Sequence, residues 1–431
     1  MRSTNSHPVP PFYCSPPGPV SLWTMLRRSV SDPPSTIPAT VYDQWVLKLP
    51  GPLSPVVVSH PDEVRRILID KGETFGRNRP LSLLMRRAWG GGLAATEGED
   101  WERQRRAATP AFRPHAVGEA AALISGIARH SIDGWLAGTQ IELGAAIGRI
   151  VLEAVVTALL GGSDGADLDA LAADIPPIAR NLSTFGLIDL LPLPDAILNA
   201  RRGIGRSAGE LRLRAFAARI AGQIHNRGSV PDLMANAGPL ADNMFGFLLA
   251  GLETTALAAA WSSWLLAFDP DWQDAVRAEA RAVDPEATAD SRPLARQVVQ
   301  EAMRLYPPAP ILARAALRRT TVAGITLWPG QTVLVPVFAI HRHRKLWDMP
   351  DAFDPARFAV GANYERTAYL PFGAGPRMCI AAAFALAEAT IIVSELMRTR
   401  RLGLAGHAPE ISLNVATRSL NGLHVLVDHA G

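Results

Sequence analysis

The chain has 431 residues, of which 48% are hydrophobic and 19% are charged, and its formal net charge is +3. This composition excludes a globally disordered chain, because it supplies enough apolar residues for a large core. The near-neutral charge argues against nucleic-acid binding, which depends on a strongly basic face. The apolar residues are mostly Ala, Leu and Val, and the low aromatic content of 6% favours helices over sheets.

The first 38 residues are rich in proline and predict an extended leader, followed by one domain over 39–431. The leader lacks an apolar core with a small-residue cleavage site, which argues against a secretory signal. Residues 21–30, SLWTMLRRSV, are too short to span a membrane, and contact with a membrane surface is the weaker alternative. Cys14 and Cys379 are too few for a disulfide framework, so we expect a cytoplasmic protein.

The domain begins with residues 41–60, which predict two short strands around a Pro-Gly turn, and a helix follows in HPDEVRRILIDKG. Helical patterns dominate residues 115–285. Residues 311–340 are typical of strands separated by Ala-Gly and Pro-Gly turns. A helix from 380 to 400 and a last pair of strands end the chain. We therefore expect a mainly α-helical fold with small β-sheets near its two ends.

Residues 243–268 form the most apolar segment, and Glu253 is its one charged residue. The segment is long enough to cross a bilayer. However, Glu253 and several hydroxyl residues lie near its middle, and no flanking basic cluster or second span supports a membrane helix. A long helix through the centre of a large fold has the same hydropathy, so we expect no membrane span.

The sequence FGAGPRMCIA at 372–381 surrounds the second cysteine with glycines, a proline and an arginine. The glycines allow a tight turn and a close approach to a flat partner. Cys379 comes at the start of an apolar helix, whose positive dipole end favours a thiolate. Arg377 can pair with a carboxylate of the same partner. An inert core cysteine is the alternative, and the Gly-x-Gly-x-Arg-x-Cys spacing favours a ligand.

Three further motifs accompany this loop, namely AGLETT at 250–255, EAMR at 301–304 and FDPARF at 353–358. In order and spacing, the whole set resembles the signature motifs of the cytochrome P450 family over residues 40–430. The resemblance implies the cytochrome P450 fold, with haem b between the long central helix and the helix after the cysteine loop. Two positions depart from the family pattern, since Ala381 replaces a usual glycine and His343 a common acid.

The resemblance also implies the roles of single residues. Cys379 matches the axial thiolate ligand of the haem iron, and Phe372 the aromatic residue that packs beside this thiolate. Arginine suits the haem propionates because its planar fork matches a carboxylate. The remaining residues expected to bind haem are Trp101, Arg105, Arg314, Arg377 and, near the propionates, His341.

Two other groups of residues match the family. Glu301, Arg304 and Arg357 match a buried ion-pair triad with a structural role. Glu253 and Thr254 match an acid–alcohol pair that delivers protons when dioxygen is activated. The threonine hydroxyl can also bond a carbonyl one turn earlier and open the helix locally. A solvated glutamate on an amphipathic helix is the alternative, but the surrounding segment has no polar face.

We therefore expect a monomeric haem-thiolate monooxygenase that hydroxylates or epoxidises a hydrophobic small molecule with O2. No segment resembles a flavin or iron–sulfur module, so a separate ferredoxin and its reductase are expected to supply electrons. A peroxygenase or a haem-thiolate isomerase is one alternative, against which the intact Glu253–Thr254 pair argues, and a non-catalytic haem sensor is another.

Two surfaces are expected to bind the reaction partners. The substrate pocket is expected to be aliphatic and poor in charge. A positive patch on the cysteine side is expected to attract an acidic ferredoxin. The pocket is expected to include Leu81, Leu84, Leu93, Phe185, Leu187, Phe247, Leu248, Ala250, Ile311 and Leu420, and the patch Arg103, Arg105, Arg106, Arg398, Arg400 and Arg401.

Overall fold

The computed structural model describes residues 7–21, 23–24, 28, 33–50, 55–70, 74–77, 82, 85–86, 89–162, 167–183, 207–223, 228–414 and 416–429. Within these residues helices dominate, as the sequence predicts. The α-helices are α1 Pro61–Ile69, α2 Gly98–Ala108, α3 Pro114–Glu119, α4 Ala121–Asp133, α5 Leu143–Leu159, α6 Leu168–Ser183, α7 Ala208–Gly222, α8 Val230–Met234, α9 Leu240–Phe268, α10 Pro270–Ala282, α11 Pro293–Leu305, α12 Val337–Ile340 and α13 Ala382–Thr399.

The strands are short and form small sheets. They are β1 Val46–Lys48, β2 Val56–Val58, β3 Phe75–Gly76, β4 Thr139–Glu142, β5 Leu312–Ala316, β6 Thr320–Val322, β7 Ile325–Leu327, β8 Thr332–Val335, β9 Arg400–Leu404, β10 Ile411–Ser412, β11 Arg418–Ser419 and β12 His424–His429. One sheet has the order β1-β2-β8-β5-β3, in which β2 and β8 are parallel, and another has the antiparallel order β4-β12-β9. Strands β6 and β7 pair with each other, as do β10 and β11. The predicted mainly helical fold with small sheets is confirmed.

The long helix α9 runs through the centre of the molecule. It packs against α5, α7, α11 and α13, which explains why its sequence is apolar on every side. Among the described residues it is the one helix long and apolar enough to cross a membrane, and 61% of its most apolar window is buried inside the protein. The helix therefore forms the core of the fold and carries side chains to the cavities on either side of it.

Residues 7–21 of the leader lie against the domain without forming a helix or strand, and a short 3-10 helix follows at Pro33–Thr36. The backbone N–H of Phe353 donates to the carbonyl of Pro8 at 3.0 Å, and the N–H of Ala39 donates to that of Pro16 at 2.8 Å. The Tyr306 hydroxyl donates to the carbonyl of Pro11 at 2.6 Å. Proline has no N–H of its own, so these carbonyls are the groups through which the leader can bond to the domain.

A buried ion pair on α11 joins this helix to the segments that follow β8. Arg304 and Glu301 are both fully buried, and two nitrogens of Arg304 donate to the two carboxylate oxygens of Glu301 at 2.6 and 2.8 Å. Arg304 also donates to the carbonyls of His341, Pro350 and Ala352. The third predicted member is Arg357, whose Nε lies 3.6 Å from Glu301 Oε1.

Replacing Arg304 by methionine should lower the free energy of unfolding by roughly 3–5 kcal/mol, because the buried Glu301 would lose its bidentate partner and keep only Arg357, at 3.6 Å, as a charged neighbour. The matched control is Arg296→Met on the same helix. Arg296 pairs with Asp290 in solvent, with both side chains exposed, so its loss should cost about 0–1 kcal/mol. Urea unfolding followed by circular dichroism measures both changes. Equal midpoints for the two variants would show that the buried pair does not stabilise the fold.

Candidate active site

A largely apolar cavity lies between α9 and the loop that precedes α13. Ala250, Thr254 and Ala258 line it from α9, and Phe372 and Cys379 line it from the loop. Residues three or four positions apart share one face of a helix, so these α9 side chains form a single wall. The cavity therefore occupies the space that the sequence predicts for a haem.

The loop before α13 turns tightly enough to direct Cys379 towards this cavity. Gly373 and Gly375 have φ angles of +72° and +73°, and a β-carbon at Gly375 would lie 2.1 Å from the carbonyl oxygen of Leu68 in α1. Only glycine fits so close an approach with a positive φ. The N–H of Cys379 donates to the carbonyl of Phe372 at 3.0 Å, which closes the loop.

The thiol of Cys379 is exposed to the cavity and otherwise enclosed by protein. Burial raises the pKa of this thiol, while a hydrogen bond from the backbone of Ala381 and the charge of Arg105 act in the opposite direction. The hydrogen bond and the positive charge both favour the thiolate that a metal requires. Ala381 has a φ of −92°, so its β-carbon causes no backbone strain where the family usually has glycine.

Positive side chains gather at one side of the cavity. Arg77, Arg105 and Arg377 line it together with Trp101, and the Arg377 guanidinium lies 3.9 Å from the centre of the Trp101 ring. Burial, followed by the charge of Arg77, lowers the pKa of Arg377 to about 10, and Arg314 and Arg105 add to this effect. Like charges held this close in a partly dry site are stabilised by an anion.

The residues present fit haem b. The arginine cluster matches two propionates, the apolar walls match the porphyrin, and Cys379 offers a sulfur ligand for iron. Arg314 does not line the cavity, and its Nη1 donates to the carbonyl of Ala313 at 2.9 Å. Burial, followed by the charge of Arg77, lowers the pKa of Arg314.

Arg77 was not predicted from the sequence. It directly follows β3, which pairs with β5 so that Gly76 lies opposite Ala315. The next position along this register brings Arg77 towards Arg314. No motif surrounds Arg77, and the register between these two strands is the signal that would have found it.

His341 lies apart from the propionate cluster, contrary to the prediction. It is fully buried and does not line the cavity. Its Nε2 accepts from the N–H of Leu370 at 2.8 Å, so its Nδ1 carries the proton and donates to the carbonyl of Arg304 at 3.1 Å. Burial and the charge of Arg304 lower the pKa of His341 to about 3. The neutral ring thus joins α11 to the cysteine loop.

His343, which departs from the family pattern, stacks on Trp45, with the ring centres 4.3 Å apart.

Glu253 and Thr254 face different cavities. The Thr254 hydroxyl donates to the carbonyl of Ala250 at 2.7 Å, one turn earlier, and Thr254 lines the cavity of Cys379. Glu253 forms an ion pair with Arg418 and lines a second cavity that also contains Arg180. Burial raises the pKa of Glu253, and Arg418 offsets part of this rise. Adjacent helical residues differ by about 100° around the axis, which explains the separation.

Part of the predicted substrate pocket is found in the cavity wall. Leu93, Phe247 and Ala250 line the cavity. The N–H of Leu93 donates to the side chain of Asn243 at 2.8 Å, which fixes this loop against α9. The predicted residues Leu81, Leu84, Phe185 and Leu187 lie outside the described residues.

The other three predicted pocket residues lie elsewhere. Leu248 is fully buried in the core around α9, one position from Phe247. Ile311 packs against a separate cluster, and its neighbour Leu312 lines the cavity instead, because successive strand residues face opposite sides. Leu420 is 71% exposed in the turn after β11.

The predicted basic patch is only partly present. Arg103 and Arg106 are exposed on α2. Arg400 is buried and donates to the carbonyls of α4 and the turn after it, and Arg398 pairs with the buried Glu395. Helix α13 has 18 residues, so its C-terminal end, after which β9 carries the exposed Arg401, lies roughly 27 Å along the axis from the cysteine loop.

Comparisons with known proteins agree with this geometry. The family model described as cytochrome P450 matches residues 39–169 and 234–419. Cyclooctat-9-en-7-ol 5-monooxygenase of Streptomyces melanosporofaciens is 28% identical over 386 residues, which cover 82% of this chain and 81% of that protein. Cytochrome P450 734A4 of Oryza sativa subsp. japonica is 29% identical over 419 residues, covering 84% and 77%. Cytokinin hydroxylase of Arabidopsis thaliana is 27% identical over 372 residues, covering 76% and 70%.

Replacing Gly375 by alanine should reduce both thermal stability and haem content, because the new β-carbon would collide with α1 and displace the cysteine loop. Gly361→Ala is the matched control. It has a φ of +86° and open space around it, so it should cost only the left-handed strain of roughly 1–2 kcal/mol. Calorimetry and the haem-to-protein absorbance ratio measure these effects. Normal haem content in Gly375→Ala would contradict the close approach.

Proposed function

The chain belongs to the cytochrome P450 family, and we propose that it oxidises a hydrophobic small molecule with electrons from a separate ferredoxin and its reductase. It is an oxidoreductase, a monooxygenase with haem b as its cofactor. The observation that carries the proposal is the convergence of Cys379, the arginine cluster and Thr254 on one apolar cavity. We further propose that the protein acts as a cytoplasmic monomer.

The chain's own residues would bind the cofactor and control protons in this cavity. The bound haem supplies the redox-active iron at which O2 is reduced and one oxygen atom is transferred to substrate. Cys379 would hold the iron, and Arg77, Arg105 and Arg377 with Trp101 would hold the propionates. The Thr254 hydroxyl donates a hydrogen bond to the carbonyl of Ala250, so its oxygen lone pairs remain available to accept a hydrogen bond from water. We propose that this water delivers protons.

Glu253 remains the proposed acid of the pair, but its side chain would have to move to act beside Thr254. Its carboxylate is paired with Arg418 in the second cavity. To deliver a proton beside Thr254, it has to leave Arg418 and rotate across α9. Burial favours the neutral form of Glu253, and a neutral carboxyl is attracted less strongly to the guanidinium.

The cavity favours a neutral and apolar substrate. Away from the arginine cluster its wall is made mainly of aliphatic and aromatic side chains. Such walls bind apolar molecules and exclude water from the reaction. One relative is named for its action on cyclooctat-9-en-7-ol, and a terpenoid of this kind is our proposed substrate class. The residues that form the wall include Trp89, Leu93, Phe112, Val155, Leu159, Phe247 and Leu312.

The thiolate ligand can be tested by replacing Cys379 with serine. We expect the reduced carbon-monoxide complex to lose its thiolate-type absorption, even where haem is retained, because a hydroxyl is a poor substitute for sulfur. Oxygen uptake with a surrogate ferredoxin and reductase should stop as well. An unchanged spectrum would mean that another side chain holds the iron. If the unmodified enzyme turns over with hydrogen peroxide but not with the ferredoxin system, the result would instead favour a peroxygenase.

We propose that ferredoxin docks on the face formed by α2 and the cysteine loop. Arg103 pairs with Asp100 at 2.6 Å, whereas Arg106 is exposed on the same helix. Met378, next to Cys379, is 41% exposed and offers an apolar contact near the haem. An acidic partner would be steered to this face over the Debye length of about 8 Å at physiological salt.

Arg106→Glu should slow the first electron transfer several-fold and leave substrate affinity unchanged, because it reverses a charge on the docking face. Arg401→Glu is the control, since Arg401 is exposed in β9, beyond the far end of α13, and its Nη1 lies 3.8 Å from Asp274 Oδ1. Stopped-flow reduction at several salt concentrations measures the rates. Equal rates for both variants, with no dependence on salt, would place the docking face elsewhere.

A further inference from the structure

The second cavity, on the Glu253 side of α9, is large enough to hold a small molecule. It lies between α5, α6, α9 and β11, and its volume is about 420 Å³, a size typical of ligand-binding cavities. Gly148 of α5 lines it, and nothing lies within 4 Å of the position that a β-carbon on Gly148 would take. Apolar side chains form much of the wall, including Ala145, Ala172, Pro176, Leu252, Leu257 and Leu423. The cavity can therefore enclose the apolar body of a ligand.

Acidic side chains also line this cavity, and each of them in the described part of the chain already accepts from a donor. Glu142 accepts hydrogen bonds from three backbone N–H groups. Asp169 pairs with Arg149, and Glu253 pairs with Arg418. A ligand that binds here is therefore expected to bring an acceptor rather than a donor.

Arg418 has one N–H group without an acceptor in the described part of the chain. Its side chain is 17% exposed, and its Nη2 contacts Oε1 of Glu253. Its Nε is buried and makes no hydrogen bond. Nε and Nη2 lie on one edge of the planar guanidinium, an edge that can bind both oxygens of a carboxylate. Glu253 leaves half of this edge unused, so a carboxylate that engages both nitrogens is the better partner.

We propose that the second cavity binds a small apolar carboxylate, such as an aromatic acid, that takes the place of Glu253 on Arg418. The two oxygens of the ligand accept from Nε and Nη2, and its apolar body lies against the aliphatic wall. Arg180, an exposed residue of the same wall, attracts the anion from solvent. A dianion such as phosphate binds less well, because Glu142 and Asp169 lie in the wall too.

Binding of the ligand also acts on Glu253, and this part of the proposal rests on the proposed monooxygenase function. Burial raises the pKa of Glu253, and Arg418 offsets part of this rise while the two are paired. When the ligand takes Arg418, Glu253 loses this compensation and binds a proton. The neutral side chain is then free to rotate towards Thr254, about 100° around the helix axis. The ligand thus frees the acid that proton delivery requires.

Titration calorimetry of the holoenzyme with benzoate tests the site, with 4-phenylimidazole bound at the haem iron to block the other cavity. We expect one benzoate per chain and an uptake of protons, measured as a dependence of the heat on the buffer. Gly148→Leu should weaken binding about ten-fold because its side chain fills the cavity, and Arg418→Gln should do so by removing a charged hydrogen bond. Gly126→Leu in α4 is the control, since Gly126 has open space and lines neither cavity.

Three calorimetric results would contradict the proposal. Equal benzoate affinity in Gly148→Leu and the unmodified protein would overturn the site. Equal affinity for benzyl alcohol, which has the same ring without the charge, would overturn the role of Arg418. Benzoate binding without proton uptake would overturn the displacement of Glu253.

The effect on catalysis is tested with limonene and a surrogate ferredoxin system. Saturating benzoate should raise the product formed per electron several-fold and lower the release of hydrogen peroxide in the unmodified enzyme, but not in Gly148→Leu. An unchanged product per electron overturns the link between the cavity and Glu253. Failure of the unmodified enzyme to consume oxygen with limonene counts against the monooxygenase function, whereas calorimetry still reports on the second cavity.

Discussion

The buried pair of Glu301 and Arg304 is the interaction on which the arrangement of the site depends. Arg304 holds the segments at His341, Pro350 and Ala352 through their carbonyls. His341 then accepts from the N–H of Leu370, two residues before Phe372 at the start of the cysteine loop. Position is thus transmitted from α11 to the loop by groups that are buried and hydrogen-bonded. Such a network adds little net stability, but leaving any member unpaired is costly, so it permits essentially one arrangement.

The arginine cluster, in contrast, destabilises the region around the cavity when no anion is bound. Burial and mutual repulsion lower the pKa of Arg377 and Arg314, so the protein without an anion holds unfavourable charge beside the cavity. A dianionic cofactor relieves this repulsion, and binding that is selective for the folded state stabilises it by mass action. Haem binding and folding are therefore coupled. The rigid network behind the loop keeps the arginines in place until the cofactor arrives.

The sequence predicted those features whose cause is local. Glycines with positive φ, a cysteine at a helix start and a bidentate pair three residues apart can be recognised from neighbouring residues. Prediction from the sequence failed for side chains whose position depends on strand register or on rotation about a helix axis. Ile311 was predicted to line the pocket where its neighbour Leu312 does, and Arg77 was missed because its position follows from the pairing of β3 with β5. The partner of Glu253 could not be predicted either, because Arg418 lies far along the chain.

The two buried glutamates of α13 differ in what surrounds them. Sequence alone presents Glu388 and Glu395 as equivalent, since they lie seven residues apart on one face of the same helix. Glu395 accepts a hydrogen bond from Arg292, whereas Glu388 lines the cavity and its two carboxyl oxygens make no hydrogen bond. An apolar residue would pack better than Glu388 at position 388, because it would leave no polar group without a hydrogen bond. Burial accordingly raises the pKa of Glu388 well above its usual value.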